Sequence, residues 1–272
     1  MAPARARGYP RAALPRPLAA ALLLLAACRS PRAPSRGAAP AAPPEPAPPA
    51  VAFAERPFAH APFAAVRVWA PSPATPGPFD TVVLLHGNQD GPSGASWLLT
   101  LRRSPAFRRR ILLAPALPDG DYAWEAPATK RAVASLVARA AATWPMDPRA
   151  TWVVGYSAGA SRALAVAAAL PGGVAGVAAV AGDALRTFRA PGASLGALLG
   201  TPTLLVCMTD DDGPNTRCPL NAANARELRR RGARDVTLVE LPGDHALDLA
   251  TLAPRLDAWM RGRRDDASVA TP

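Results

Sequence analysis

The chain has 272 residues, half of them hydrophobic. It is long enough to bury a large core in one domain, which excludes a disordered or fibrous protein. Its formal net charge of +11 does not mark a nucleic-acid partner. Arg5, Arg7, Arg11, Arg16, Arg29, Arg32 and Arg36 all precede the folded region, and the clusters Arg108-Arg109-Arg110 and Arg229-Arg230-Arg231 lack interleaved aromatics and fit solvated helix faces.

Met1 to Pro17 holds four arginines and no acid, and Leu18 to Ala27 is an apolar run of ten residues. A basic start, a short apolar centre and small residues at its end have the form of a secretory signal. The run is too short to cross a bilayer, which takes about 20 residues. It ends Leu25-Ala26-Ala27-Cys28, which resembles the bacterial lipobox. That resemblance implies cleavage before Cys28, acylation of Cys28, and a mature protein of the cell envelope tethered to a membrane through lipid alone. Residues 28–57 follow as a linker, with eight prolines between Pro31 and Pro49, a composition that stays extended and semi-rigid.

From residue 58 to 260 strand and helix signals alternate. Val66 to Ala70 reads as a strand, and Thr81 to Leu85 as a continuous apolar strand ending in His86-Gly87-Asn88. A helix is expected around Trp97 to Arg103. Ile111 to Ala114 is the next strand, stopped by Pro115, and a loop with Asp119, Asp121 and Trp124 leads to a helix over Ala128 to Ala142. The apolar strand Trp152 to Val154 then runs into Gly155-Tyr156-Ser157-Ala158-Gly159 and an alanine-rich helix. Val174 to Ala181, Thr203 to Met208 and Val236 to Leu241 read as further strands. Helices are expected over Leu220 to Arg231 and Leu247 to Met260, and residues 261–272 should fray. Unbroken apolar strands alternating with helices predict a mostly parallel, doubly wound α/β sheet in one domain.

Ser157 sits in a G-x-S-x-G turn between a buried strand and a helix, where glycines permit close packing and the hydroxyl stands free above the sheet edge. Serine becomes a nucleophile only when a base removes its proton and a third group orients that base. The chain has three histidines, His60, His86 and His245. Asp210, Asp211 and Asp212 lie just past the strand ending at Met208, at the carboxyl edge where open α/β sheets place their sites. Cys207 and Cys218 bracket that acid loop. An exported protein meets oxidising conditions, so a disulfide between them is expected. No Cys-x-x-Cys or His-x-x-x-His spacing occurs, so no metal site is expected.

Leu84-Leu85-His86-Gly87, Met146-Asp147-Pro148-Arg149, Gly155 to Ala160, Pro202 to Val206 and Gly243-Asp244-His245 together resemble the α/β-hydrolase superfamily. The resemblance covers about Val66 to Met260. Within the superfamily it is nearest the group of polyhydroxybutyrate depolymerases and feruloyl or acetylxylan esterases. Ala160 stands where a further glycine is common, and Cys207-Met208 replaces the usual His-Gly before the acid. The resemblance implies a single-domain α/β-hydrolase fold in which acid and histidine follow the serine. Only His245 does so among the histidines, which makes it the expected base of Ser157. Asp211 is the expected acid, with Asp210 and Asp212 as alternatives.

The backbone N–H groups of Asn88 and Ala158 are the expected oxyanion donors, with His86 supporting their loop. Trp124 and Tyr156 are expected to line the substrate pocket. The implied activity is hydrolysis of small or polymeric carboxylic esters by a monomer without metal or organic cofactor. The same triad serves a peptidase or amidase, whereas a non-catalytic binding lipoprotein would be marked by a broken triad.

Overall fold

The continuous apolar runs become the strands of one mixed sheet. The computed structural model describes residues 51–88, 91–118, 123–189 and 193–269, apart from the side chains of 91–93 and 265–269. The signal segment, Cys28, most of the linker, Asp119 and Asp121 lie outside the described residues. The strands are β1 Phe53–Pro57, β2 Ala65–Pro71, β3 Phe79–Leu85, β4 Ile111–Ala116, β5 Met146–Tyr156, β6 Gly176–Val180, β7 Thr203–Met208 and β8 Val236–Leu241. The helices are α1 Gly91–Leu99, α2 Pro127–Thr143, α3 Ala160–Ala167, α4 Cys218–Arg230 and α5 Leu249–Val269. The spatial order is β1-β2-β4-β3-β5-β6-β7-β8. The pairs β1–β2 and β2–β4 are antiparallel, and all the others are parallel.

Alternation along each strand sends neighbouring side chains to opposite faces. Val83, Leu85, Val153, Val177 and Leu205 join a core with residues of α2, α3 and α4. Val82, Leu84, Trp152, Val154 and Leu204 join a second core with residues of α1 and α5. The result is a sheet between two helical layers, and strands buried on both faces need the unbroken apolar runs seen in the sequence. The chain order reverses direction at β3, which lies between β4 and β5. The loops leaving the carboxyl ends of β3 and β5 therefore part at a crevice, the usual place for a site in such sheets.

Three expected boundaries are corrected. The linker was expected to run to residue 57, yet β1 already belongs to the sheet. Phe53 packs edge-on to Phe79 at 5.2 Å, and Arg67 of β2 pairs with Glu55 at 2.7 Å. An edge strand with one neighbour and polar outward positions leaves only a weak signal. Strand β4 passes through Pro115, because the last pairing with β3 is at Leu113 and Pro115 lies opposite Val66 of β2. The final helix continues past Met260 rather than fraying there. Arg263 holds Asp235 in a fork at 2.7 and 2.9 Å, and Arg264 pairs with Asp80.

The Arg108-Arg109-Arg110 cluster is not wholly solvated either. Arg110 is buried, 3.5 Å from Asp80 and 2.8 Å from Asp257, and stacks over Phe107. Removing one partner of a buried ion group strands the other charges. Arg110→Ala is therefore expected to lower the unfolding free energy by about 3 kcal/mol in urea denaturation. A loss below ~1 kcal/mol, the level of an exposed pair, would mean that Arg261 and Arg264 satisfy the acids alone.

Candidate active site

Strand β5 delivers Ser157 into a left-handed backbone conformation, φ 53°, which costs a non-glycine residue about 1–3 kcal/mol. Its N–H donates to Val180 O at 2.9 Å, and its carbonyl accepts from Ser161 N–H at 3.1 Å as α3 begins. The flanking glycines are required by backbone approach. A Cβ on Gly155 would lie 2.4 Å from Gly159 O, and one on Gly159 would lie 2.2 Å from Leu85 O. No side chain fits there without moving a strand.

The structure brings Ser157, His245 and Asp211 together from three carboxyl ends of the sheet. Ser157 Oγ lies 3.0 Å from His245 Nε2, and His245 Nδ1 lies 2.8 Å from Asp211 Oδ2. Asp211 is the one of the three candidate acids that reaches the ring. Asp210 instead accepts from Gly243 N–H at 3.3 Å, while its own N–H donates to Gly243 O at 2.9 Å, which ties the acid loop to the histidine loop. Asp212 is exposed. Asp183, past β6, is forked by Arg189 at 2.6 and 2.9 Å and held by Asn224.

Asp211 is buried, and burial raises its pKa. Hydrogen bonds from Thr216 Oγ1 (2.6 Å), His245 and Gly213 N–H (3.1 Å) outweigh burial and hold the carboxyl below its ordinary value. A carboxylate can only accept, so His245 donates from Nδ1 and turns the Nε2 lone pair toward the Ser157 hydroxyl. That is the tautomer a general base needs. Thr216 gave no signal in the sequence, since only the turn through Gly213 brings it back onto Asp211.

Cys207 and Cys218 form the expected disulfide, joining the end of β7 to the start of α4. It closes the loop that carries both Asp211 and Thr216. With a sequence separation of 11 between the cysteines, the loop-entropy relation puts its contribution near 3 kcal/mol. The double variant Cys207→Ser/Cys218→Ser is expected to lose about that much in chemical denaturation. An unchanged midpoint would contradict this. The two sulfurs and Glu240 form the one group of metal-ligand type among the described residues, but disulfide sulfurs are not thiolate ligands.

His86 is buried and supports the first loop. Its Nε2 accepts from Leu117 N–H at 3.0 Å, so Nδ1 carries the hydrogen and donates to Gly87 O at 2.8 Å. In a trans peptide the Asn88 N–H points opposite to the Gly87 carbonyl, hence away from His86. Asn88, Ala158 and Ser157 border one cavity of about 350 Å³. Among the described residues no backbone carbonyl accepts from the N–H of Asn88 or Ala158.

Of the two expected pocket aromatics, Trp124 is corrected. Trp124 is fully buried and donates to His86 O at 3.3 Å, so it braces the loop from behind and does not face a substrate. Tyr156 is half-buried beside the histidine loop. Its hydroxyl donates to the backbone carbonyl of His245, and its ring stacks on the imidazole at 5.3 Å. Trp97 backs it at 5.0 Å. A tyrosine beside a nucleophile reads equally well as a pocket wall or a brace, and the contact with residue 245 is invisible in the sequence.

No protein-family model and no curated protein matches the sequence. Solved structures do. S-Formylglutathione hydrolase FrmB from Staphylococcus aureus is 16% identical, TM-score 0.59, over 78% of this chain and 98% of that one. SOBER1 from Arabidopsis thaliana is 17% identical, TM-score 0.52, over 68% and 98%. A thermostable esterase is 15% identical, TM-score 0.55, over 80% of this chain, which spans only 61% of that esterase. At these identities the likeness concerns the fold. The chain carries a single-domain α/β-hydrolase fold.

Proposed function

We propose that the protein is a serine hydrolase that cleaves carboxylic esters through an acyl-enzyme. The observation that carries this reading is the hydrogen-bonded line Ser157–His245–Asp211, with spacings of 3.0 and 2.8 Å, ending on a serine in the left-handed region. Ser157 Oγ attacks the ester carbonyl carbon as His245 Nε2 takes its proton. Asp211 holds the imidazole and stabilises the imidazolium. The N–H groups of Asn88 and Ala158 receive the tetrahedral oxyanion, each contributing about 3 kcal/mol to the transition state. Collapse breaks the ester C–O bond, and His245 gives the proton to the leaving alcohol. Water, deprotonated by the same histidine, then releases the acid and restores Ser157.

The names of the thermostable esterase and of the S-formylglutathione hydrolase FrmB support this choice by analogy of fold. Export and anchoring through acylated Cys28 are part of the same proposal, supported by the signal-like N-terminus and by a disulfide suited to an oxidising compartment. The reading is tested with p-nitrophenyl esters of increasing acyl length. Turnover of at least the short esters is expected, and no turnover across the series would contradict it. For the anchor, Cys28→Ser is expected to release the protein from the membrane fraction, whereas unchanged partition would refute acylation there.

A further inference from the structure

The cavity on which Ser157 opens is a poor site for a plain aliphatic chain. Of the described residues around it only Ala158 and Gly182 lack a polar side chain, so hydrocarbon gains little against them by leaving water. Two of its walls, Arg162 and Arg186, are also walls of a second cavity of about 530 Å³. That second cavity has small and apolar surface from Ala165, Ala168 and Phe188, and adds Lys130, the only lysine of the chain. The two cavities therefore adjoin at two arginines, and the far one pairs an apolar patch with a lysine.

The charges do not cancel. Among the described residues Glu125 is the one acid bordering either cavity. Burial raises its pKa, but the Arg162 fork at 2.8 and 3.3 Å lowers it further, so Glu125 stays ionised and neutralises Arg162. Arg162 is thereby fixed, and its guanidinium also donates to Ala158 O at 3.5 Å, one residue past the nucleophile. Arg186, exposed in the 3-10 turn Arg186–Phe188, and Lys130, in the first turn of α2, form no ion pair among the described residues, although Arg186 lies in the field of Glu125. Two cations on separate elements thus remain for a ligand.

We propose that the hydrolysed ester carries a carboxylate, joined to the scissile carbonyl by a short apolar spacer, and that Arg186 and Lys130 hold this carboxylate in the second cavity. This rests on the hydrolase reading above but can fail separately from it. A guanidinium matches a carboxylate in a two-pronged contact, and the ammonium adds a point charge. The acyl group is then that of a dicarboxylic half-ester rather than a fatty acid, and Ser157 chemistry is unchanged by it.

The test separates binding from turnover. With the full chain carrying Ser157→Ala, monomethyl adipate and neutral dimethyl adipate are titrated by calorimetry. The anion is expected to bind about tenfold more tightly, as one charge-assisted contact allows, and Lys130→Gln/Arg186→Gln is expected to abolish the difference. Equal binding of the two probes, or a difference that survives the double substitution, overturns the proposal. With the active chain, kcat/KM for p-nitrophenyl hemiadipate is expected to exceed that for p-nitrophenyl hexanoate about tenfold, and rising salt should shrink the ratio. Hydrolysis of both esters at equal rates overturns the anion site and leaves the esterase reading standing. Selective binding of the monoanion without hydrolysis of either ester supports the anion site and overturns the esterase reading instead.

Discussion

Replacing Ser157 with alanine is expected to reduce kcat for p-nitrophenyl ester hydrolysis by ~10⁴-fold or more. The protein should remain folded. The substitution removes one oxygen from a half-exposed position, and alanine tolerates the left-handed backbone no worse than serine does. Among the described residues the hydroxyl's one side-chain hydrogen bond is with His245 Nε2, at 3.0 Å, so its loss strands no buried charge. Residual activity would come from the oxyanion donors and from binding alone, because those parts act without the nucleophile. The unfolding midpoint and the circular dichroism spectrum check that the loss is chemical. A variant that keeps more than about a tenth of wild-type kcat (a barrier change under 1.4 kcal/mol) would mean that Ser157 is not the nucleophile.

The second large effect is expected at Asp211. Asp211→Asn conserves shape but presents an amide to His245. The asparagine NH₂ or carbonyl can no longer act as an anion that fixes hydrogen on Nδ1, so the tautomer with a free Nε2 lone pair loses its advantage. A fall in kcat of about 10⁴-fold is expected, with KM little changed, since Asp211 is buried behind the ring. Asp210→Asn and Asp212→Asn should each cost far less, because Asp210 bonds the Gly243 backbone and Asp212 is exposed. Stability carries a second signature. The Asp211 carboxyl is held below its ordinary value, so it contributes stability above the unfolded carboxylate pKa that is lost as pH falls through the folded one. Asp211→Asn should remove that acid-side dependence, and the urea midpoints of variant and wild type should converge in acid. Divergence in acid would contradict the assignment.

Much of this architecture was legible because its signals are local. Thr203–Met208 stands where a continuous apolar run predicted it, since a strand buried on both faces admits few polar residues. The serine turn was legible for the same kind of reason. Gly155 and Gly159 answer to backbone contacts within a few residues and with the adjacent strand β3. What escaped depends on contacts distant in sequence. Phe53–Pro57 becomes a strand only by pairing with β2, and nothing in its proline-rich surroundings announces a partner. The last turns of α5 are held by Asp235 and Asp80, the latter 184 residues away. Tyr156 and Trp124 were legible as site aromatics but not as braces, because which face they present is set by loops that fold over them. Asp211 was the expected acid, but the reason to prefer it to Asp210 and Asp212 lies in the fold, where only Asp211 turns inward to Thr216 and His245.

The proposed reaction depends on one serine made nucleophilic by its neighbours. The most direct test is to treat the folded protein with a fluorophosphonate and locate the adduct by peptide mass spectrometry. One stoichiometric adduct on Ser157 is expected, abolished by Ser157→Ala and strongly slowed by His245→Ala. An unlabelled Ser157 in the folded wild-type protein, or labelling that persists on another residue in the Ser157→Ala variant, would contradict it.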